Sequence, residues 1–346
     1  AVVGSACDAR PVHLTWATRW TDGDYYSIGG SGRVLSNRTA SVLTGLIQAG
    51  LALRVSATDS TRDAKHAMRG ADVVLTCGGA TAAESFDRSS LLLDQDDFID
   101  WVVRRASKLE MPAVVVALAP GAVVLPWHER AAAVLLLFLS GEATGLAAAD
   151  VLTGAVGPAG RLPVTIPSSE RHALQPCDAR SSCEYSEKLR GGWHLYDSLD
   201  VAYPFGHGLS YTDFSVAVVS DWAPRLSSGW ELVVRITNVG SSPGVAVPQL
   251  FLQFPGGDDD RPAWQLRGFN KSDVLAPGAS WDTAFSLESR DLSQWDTRSH
   301  SWRLVEGQFR AFVGASSRDM QLCGGFSVDS GLLVDRMQPC SGSPFR

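Results

Sequence analysis

The 346-residue sequence has no long apolar run. The longest, Ala131 to Leu139, is far shorter than the roughly 20 residues a membrane helix needs, so no membrane span is expected. It also lacks basic charge. With 30 Lys and Arg against 37 Asp and Glu the formal net charge is -7, which argues against nucleic acid and against an anionic membrane surface as partner. None of the six cysteines forms a CxxC pair, no Cys/His cluster has zinc spacing, and His128-Glu129 leads to no second His at that spacing. No metal site is therefore expected. GxSxG and GxxxxGK[ST] are both missing. Gly29-Gly30-Ser31-Gly32 is not GxGxxG, because Leu35 holds the last position and no strand directly precedes it, so no nucleotide cofactor is expected. There is no initiator Met and no signal peptide. The opening Ala1-Val2-Val3-Gly4 reads as a strand, which suggests the later part of a longer chain.

Apolar residues make up 45% and charged residues 19%, the balance of a globular protein long enough for two or three domains. Eleven tryptophans are many for this length; Trp fills cores and also stacks on sugar rings. Cys177 and Cys183 bracket a short loop and could close a small disulfide. Asn37-Arg38-Thr39 and Asn270-Lys271-Ser272 match the glycosylation triplet and favour a secreted, extracellular protein. Asp258-Asp259-Asp260 reads as a solvated turn before it reads as a cation site.

Residues 1–167 alternate apolar runs with helical patterns. Candidate strands are Val2–Ala6, Leu53–Thr58, Val73–Cys77, Ala113–Ala119, Val134–Leu139 and Leu162–Ile166. Helices are expected over Thr39–Ala49, over Thr61–Met68 with Ser60 as cap, over Asp96–Leu109 and over Gly145–Leu152, ended by Gly154. The fold class that follows is α/β plus all-β. A mostly parallel six-stranded sheet, sandwiched by helices, precedes a β-sandwich of short alternating strands over 212–328. Residues 168–211 read as an irregular excursion or linker, and 329–346 as a loosely packed tail.

The stretch with most chemistry is Gly78-Gly79-Ala80-Thr81-Ala82-Ala83-Glu84-Ser85-Phe86-Asp87-Arg88. It follows a buried-strand pattern, and in open α/β sheets ligands sit past the carboxyl ends of the strands. A carboxylic acid there could protonate a leaving group, provided burial or a neighbouring carboxylate raises its pKa. Locally, Glu84 as a solvated residue and Asp87 with Arg88 as a surface ion pair is the plainer reading.

The whole pattern resembles glycoside hydrolase family 3. Asp24 to Val34 resembles its glycine-rich GGGSG segment, and Glu84-Ser85-Phe86-Asp87-Arg88 its EGFDR segment. Pro126-Trp127, Ser140 to Gly145, Ala149 to Gly154 and Pro158 to Thr165 are similar to its PW, GGExG, ADVLxG and PSGRLPxT segments. Tyr203 to Phe214 resembles FPFGHGLSYTxF. Asn238-Val239-Gly240, Leu266 to Phe269, Asp291 to Asp296 and Val313 to Asp319 resemble the fibronectin type III-like module that follows. No one segment is specific; their number, order and spacing are.

The resemblance implies a retaining exo-β-glycosidase, most often a β-glucosidase, acting on a β-linked glucoside or oligosaccharide. It implies an N-terminal (β/α)8 barrel in cis that carries the nucleophile, so none is expected in this chain. The general acid/base falls on Glu84, with a neighbouring carboxylate as the alternative. Asp87 and Arg88 are expected to fix the loop as a buried bidentate pair. Gly29, Gly30 and Ser31 are candidate substrate-edge residues, with a plain tight turn as the other reading. Trp16, Trp20 and Trp127 are stacking candidates, with a place in the core or a domain interface as the plainer reading of each. Two departures stand out. Ser85 replaces the usual Gly, at a turn where only Gly takes positive φ freely. Ala82 stands where some members carry a further Glu. The rivals are a non-catalytic carbohydrate-binding or scaffold protein, and an enzyme for another sugar such as xylose, arabinose or N-acetylglucosamine.

Overall fold

The structure is a computed structural model that describes residues 1–13, 15–174, 177, 182–224, 229–256, 262, 264–328 and 334–340. The acidic triplet Asp258-Asp259-Asp260 lies outside them. The chain divides into two compact units. The first comprises 1–156, 166–174 and 200–202; the second comprises 157–165, 175–199 and 203–346.

The first unit is a parallel sheet with helices. Its strands are β1 (Val2–Val3), β2 (Val55–Ser56), β3 (Val74–Gly79), β4 (Ala113–Ala119) and β5 (Ala133–Phe138), in the order β2-β1-β3-β4-β5. Every pairing is parallel, with Val2 opposite Leu75 and Val74 opposite Ala113. Five strands form the sheet, not six. Leu162–Ile166 does not join it: Pro163 interrupts the run and has no N–H to give a ladder, and Leu162 pairs instead with the turn at Gly206 and His207. Only Ile166–Pro167 (β6) pairs, in a two-stranded ribbon with Val201–Tyr203 (β7).

The helices are α1 (Val42–Gln48), α2 (Thr61–Met68), α3 (Asp96–Ser107) and α4 (Thr144–Thr153). Their limits follow local chemistry. Ser41 and Ser60 cap α1 and α2 by accepting from Thr44 N and Asp63 N. Helix α3 has Asp96 and Asp97 in its first turn and Arg104 and Arg105 in its last, as the helix dipole favours. Alternate strand residues Leu75, Cys77, Val116 and Leu118 pack with Val42, Leu46, Ala148 and Ala149 in one buried cluster. Helix α3 packs on β3 and β4 through its own buried row, Ile99, Val102, Val103 and Ala106. Cys7 and Cys77, both buried, form a disulfide that ties the turn after β1 to β3.

The second unit is an antiparallel β-sandwich. One sheet runs β11-β10-β15-β16-β17, with β10 Gln249–Gln253, β11 Gln265–Phe269, β15 Gly307–Ser316, β16 Asp319–Val328 and β17 Val334–Pro339. The other runs β12-β9-β8, with β8 Phe214–Pro224, β9 Trp230–Asn238 and β12 Ser280–Leu287, and β13 (Ser293–Asp296) pairs with β14 (Ser301–Leu304) in a separate hairpin. Leu232, Val234, Ile236, Leu250, Phe309 and Phe326 lie in the core between them. The tail is not loose over its described part: β17 pairs with β16, and Cys340 is bonded to Cys323. Cys177 and Cys183 close the small disulfide that their spacing allows.

Candidate functional site

The strand order reverses between β1 and β3, and the chemistry-bearing loop leaves the carboxyl end of β3 at that switch point. Residues 80–93 form a loop with tied ends. Ala80 N donates to Leu118 O at 2.9 Å, and Asp94 N to Gly79 O at 2.8 Å.

A second stretch, 19–33, is folded against this loop. Arg33 holds it by donating from Nη2 to the carbonyls of Arg19 (2.9 Å), Trp20 (2.7 Å) and Asp22. Asp24 Oδ1 accepts from Tyr26 N and Ser27 N, both at 2.8 Å, which makes the local turn. The two stretches then lace together. Gly29 N donates to Ala82 O at 2.9 Å, and Glu84 N to Gly29 O at 3.1 Å. Glycine is required at both positions of contact. A Cβ on Gly29 would lie 2.1 Å from Thr21 O, and Gly30, at φ +100, would put one 2.5 Å from the Cβ of Glu84.

This lacing brings Glu84 onto Ser31. Glu84 Oε2 accepts from Ser31 N at 2.8 Å and from Ser31 Oγ at 2.5 Å. The Ser31 hydroxyl first, and then its amide, holds the exposed Glu84 carboxyl below its usual range. The carboxyl is thus ionised at neutral pH in this setting, the reverse of the raised pKa that a proton donor needs. The structure therefore joins Gly29, Gly30, Ser31 and Glu84 in one edge, while the charge state of Glu84 here is that of a base.

Ser85 takes φ +68, so the loop keeps a left-handed turn even though the residue is not glycine. That conformation costs an L-residue roughly 1–2 kcal/mol. Ser85→Gly is accordingly expected to stabilise the protein by about 1 kcal/mol, less Gly's own chain-entropy cost. Thermal unfolding of the variant beside the parent checks this; a lowered midpoint would contradict it.

Arg88 is the hub of the loop. Its Nε donates to Ser90 O (3.2 Å), Nη1 to Thr81 O (3.0 Å), and Nη2 to Leu92 O (2.9 Å) and Asp94 Oδ1 (3.0 Å). The expected Asp87–Arg88 pair does not form. The guanidinium turns inward to the loop's own carbonyls, and its carboxylate partner is Asp94. Asp87 is exposed and makes no hydrogen bond or ion pair among the described residues. Asp94 also accepts from Tyr25 OH at 3.1 Å, and Gln95 Nε2 donates to the same phenol at 2.9 Å. Burial pushes the Tyr25 phenol up to about 12, so it stays protonated as a donor.

The three stacking candidates divide. Trp127 is wholly buried and donates from Nε1 to Asp96 Oδ1 at 2.9 Å, so it is a core residue. Trp16 and Trp20 are 99% and 57% exposed, and the Trp20 ring borders Gly30, the residue that also borders Glu84. Phe86, at the loop tip, is exposed as well. Among the described residues, no group of three or more His, Cys, Asp or Glu is placed to hold a metal ion.

Comparison with known families decides the kinship. The description "Glycosyl hydrolase family 3 C-terminal domain" matches residues 1–211, more than half of the chain, and "Fibronectin type III-like domain" matches 246–317. The chain belongs to glycosyl hydrolase family 3. This family 3 chain is 32% identical over 331 residues to a probable beta-glucosidase D of Aspergillus flavus, covering 89% of the chain and 41% of that protein. It is 31% identical over 278 residues to thermostable beta-glucosidase B of Acetivibrio thermocellus, covering 78% of the chain and 36% of the relative. Among solved structures it resembles beta-glucosidase D2-BGL of Chaetomella raphigera, with a TM-score of 0.83, 28% identity, and coverage of 95% of this chain and 50% of that one. It also resembles the beta-D-glucoside glucohydrolase of Trichoderma reesei, with a TM-score of 0.78, 30% identity, and coverage of 87% and 47%. The chain therefore spans between about one third and one half of the length of these relatives. Two residues that hold the loop carried no signal in the sequence. Asp94 follows a run of leucines, and Glu170, whose carboxylate holds Ser90 and Leu91, lies in the stretch read as irregular.

Proposed function

We propose that this chain is the C-terminal part of a retaining exo-β-glycosidase of the β-glucosidase kind. It supplies the general acid/base, Glu84, to a site completed by a preceding (β/α)8 barrel that carries the nucleophile. The observation that carries this reading is Glu84 itself, on a braced loop at the switch point of the sheet, with its carboxylate at the surface. That the relatives are named beta-glucosidases supports the substrate class.

The chemistry runs in two displacements. The nucleophile's carboxylate attacks the anomeric carbon, the glycosidic C–O bond breaks, and Glu84 gives its proton to the departing oxygen. Glu84, now ionised, takes a proton from water as that water attacks the glycosyl–enzyme bond and releases the sugar and the nucleophile. Glu84 must be protonated for the first half. A barrel seated over it would strip water from the carboxyl and bring the nucleophile's negative charge within about 5–5.5 Å, and both effects raise its pKa against the pull of Ser31. Asp87, exposed and without a partner among the described residues, is the alternative acid. Trp20 offers an aromatic plane beside Glu84 for a sugar ring.

Three disulfides suit an oxidising, extracellular setting. Of the two glycosylation triplets, Asn37 is exposed, whereas Asn270 donates both amide hydrogens, to Thr283 Oγ1 (2.8 Å) and Ala284 O (2.9 Å). Asn37 is therefore the acceptor we assign.

Assays of the full-length gene product and of this chain alone on aryl β-D-glucosides, xylosides and N-acetylglucosaminides test the reading. The full-length protein is expected to prefer the glucoside, and the isolated chain to turn over none. Preference for another sugar would overturn the substrate. No turnover of any glycoside by a folded full-length protein would favour the carbohydrate-binding rival.

A further inference from the structure

Glu170 has no place in the chemistry above, yet its carboxylate is committed to the loop that carries Glu84. Glu170 Oε1 accepts from Ser90 Oγ and from Leu91 N, both at 2.5 Å and across some 80 residues of sequence. Ser90 Oγ accepts in turn from Leu92 N at 3.0 Å. The carbonyls of these residues are held as well. Ser90 O and Leu92 O accept from Arg88, and Leu91 O accepts from Val124 N at 2.9 Å. Ser90–Leu92 is thus gripped from three sides. Its link to Glu84 is Arg88, whose remaining donor, Nη1, holds Thr81 O, three residues before Glu84.

The placement of Glu170 is itself fixed. It opens the short 3-10 helix Glu170–His172, capped by Ser169 accepting from Arg171 N. The strand Ile166–Pro167 just before it pairs with Val201–Tyr203, and Ser168 Oγ donates to Asp200 O at 3.0 Å. The bond to Ser90 first, and then that to Leu91, keeps the Glu170 carboxyl below its usual range. It is therefore a carboxylate in the working pH range, and both of its bonds are charge-assisted.

We propose that Glu170 is a positioning residue for the reaction. Through Ser90–Leu92 and Arg88 it fixes the base of the loop, while Ser31 fixes the Glu84 carboxylate at the other end. The proposal rests on Glu84 being the acid/base. An acid/base must lie within hydrogen-bond reach of the oxygen it serves, and about 1 Å of misplacement costs on the order of 100-fold in rate.

The test is made in the full-length enzyme. Glu170→Ala removes both bonds, whereas Glu170→Gln keeps an Oε1 acceptor in the same place. Glu170→Ala is expected to lower kcat on an aryl β-D-glucoside about 10-fold or more with KM within about twofold, and Glu170→Gln to recover most of kcat. Amide exchange at Leu91 and Leu92 should rise in the Ala variant alone. Should Glu170→Ala fold poorly, Ser90→Ala removes one donor to the same carboxylate and is expected to lower kcat in the same direction. Unchanged kcat in a folded Glu170→Ala or Ser90→Ala variant, with unchanged exchange, overturns the proposal. Equal loss in Glu170→Gln and Glu170→Ala, with KM rising in step, overturns it too. Glu84→Gln run beside these separates the two readings. If it keeps full activity the acid/base assignment fails, and the exchange result still judges the clamp. If it is inactive while Glu170→Ala is normal, the clamp alone fails.

Discussion

Glu84→Gln, made in the full-length enzyme, is expected to lower kcat on a β-D-glucoside with a poor leaving group by about 10²- to 10⁴-fold, the usual share of a positioned proton donor. The amide matches the carboxylate in size and can still accept from Ser31, so the fold should hold. The pH profile adds a sign. Ser31 pulls the Glu84 pKa down, its hydroxyl most. Ser31→Ala removes that largest cause, so the pKa moves up toward the ordinary carboxylate value. A general acid works only while protonated. The alkaline limb of kcat/KM that belongs to Glu84 is therefore expected to move to higher pH in Ser31→Ala. A fall in rate with the limb unmoved would mark Glu84 as a loop residue without a proton to give.

The second large effect concerns stability. Cys7 and Cys77 are 70 residues apart and are 1% and 0% exposed. Closing a loop of that length removes enough freedom from the unfolded chain to stabilise the native state by about 4 kcal/mol in the chain-entropy treatment. The Cys7→Ala/Cys77→Ala double variant is expected to lose stability of that order and to melt roughly 10 °C lower, for a unit of this size. The bond joins the turn after β1 to β3, and β3 leads straight into the loop of Glu84, so loop exchange should quicken as well. A melting point within about 2 °C of the parent would contradict the assignment of a stabilising role.

Much of the α/β unit is legible in the sequence, because its limits are set by local chemistry. Helix α2 runs over Thr61–Met68 as expected, with Ser60 supplying the cap. Gly154 ends α4 in the left-handed conformation at φ +78. The apolar run likewise places β3, although Gly78 and Gly79, read as the start of the loop, are the last residues of the strand. Leu162–Ile166 misled because its apolar content reads as a strand, while Pro163 breaks the donor pattern and Leu162 takes its partners from the distant turn at Gly206 and His207.

The site is legible only in part. The motif brings Glu84 and the Gly29–Ser31 turn into view, and the structure sets them in contact. Adjacency in sequence suggested that Asp87 pairs with Arg88. A turn of the loop points that guanidinium inward, to three carbonyls and to Asp94. Partners brought by tertiary folding leave no local trace, and Glu170 is the clearest instance. Three tryptophans alike in the sequence have unlike places, since burial belongs to the packing: Trp127 is inside and Trp20 outside.

The most direct test of Glu84 as the acid/base is made with Glu84→Ala in the full-length enzyme, using two aryl β-D-glucosides of good and poor leaving group, with and without azide. Loss of the proton donor should hurt the poor leaving group far more. Azide, which needs no general base, should then speed turnover of the good one and give a β-glucosyl azide, the configuration retained through two displacements. Equal loss for both substrates, with no azide product, would show that the proton comes from another residue.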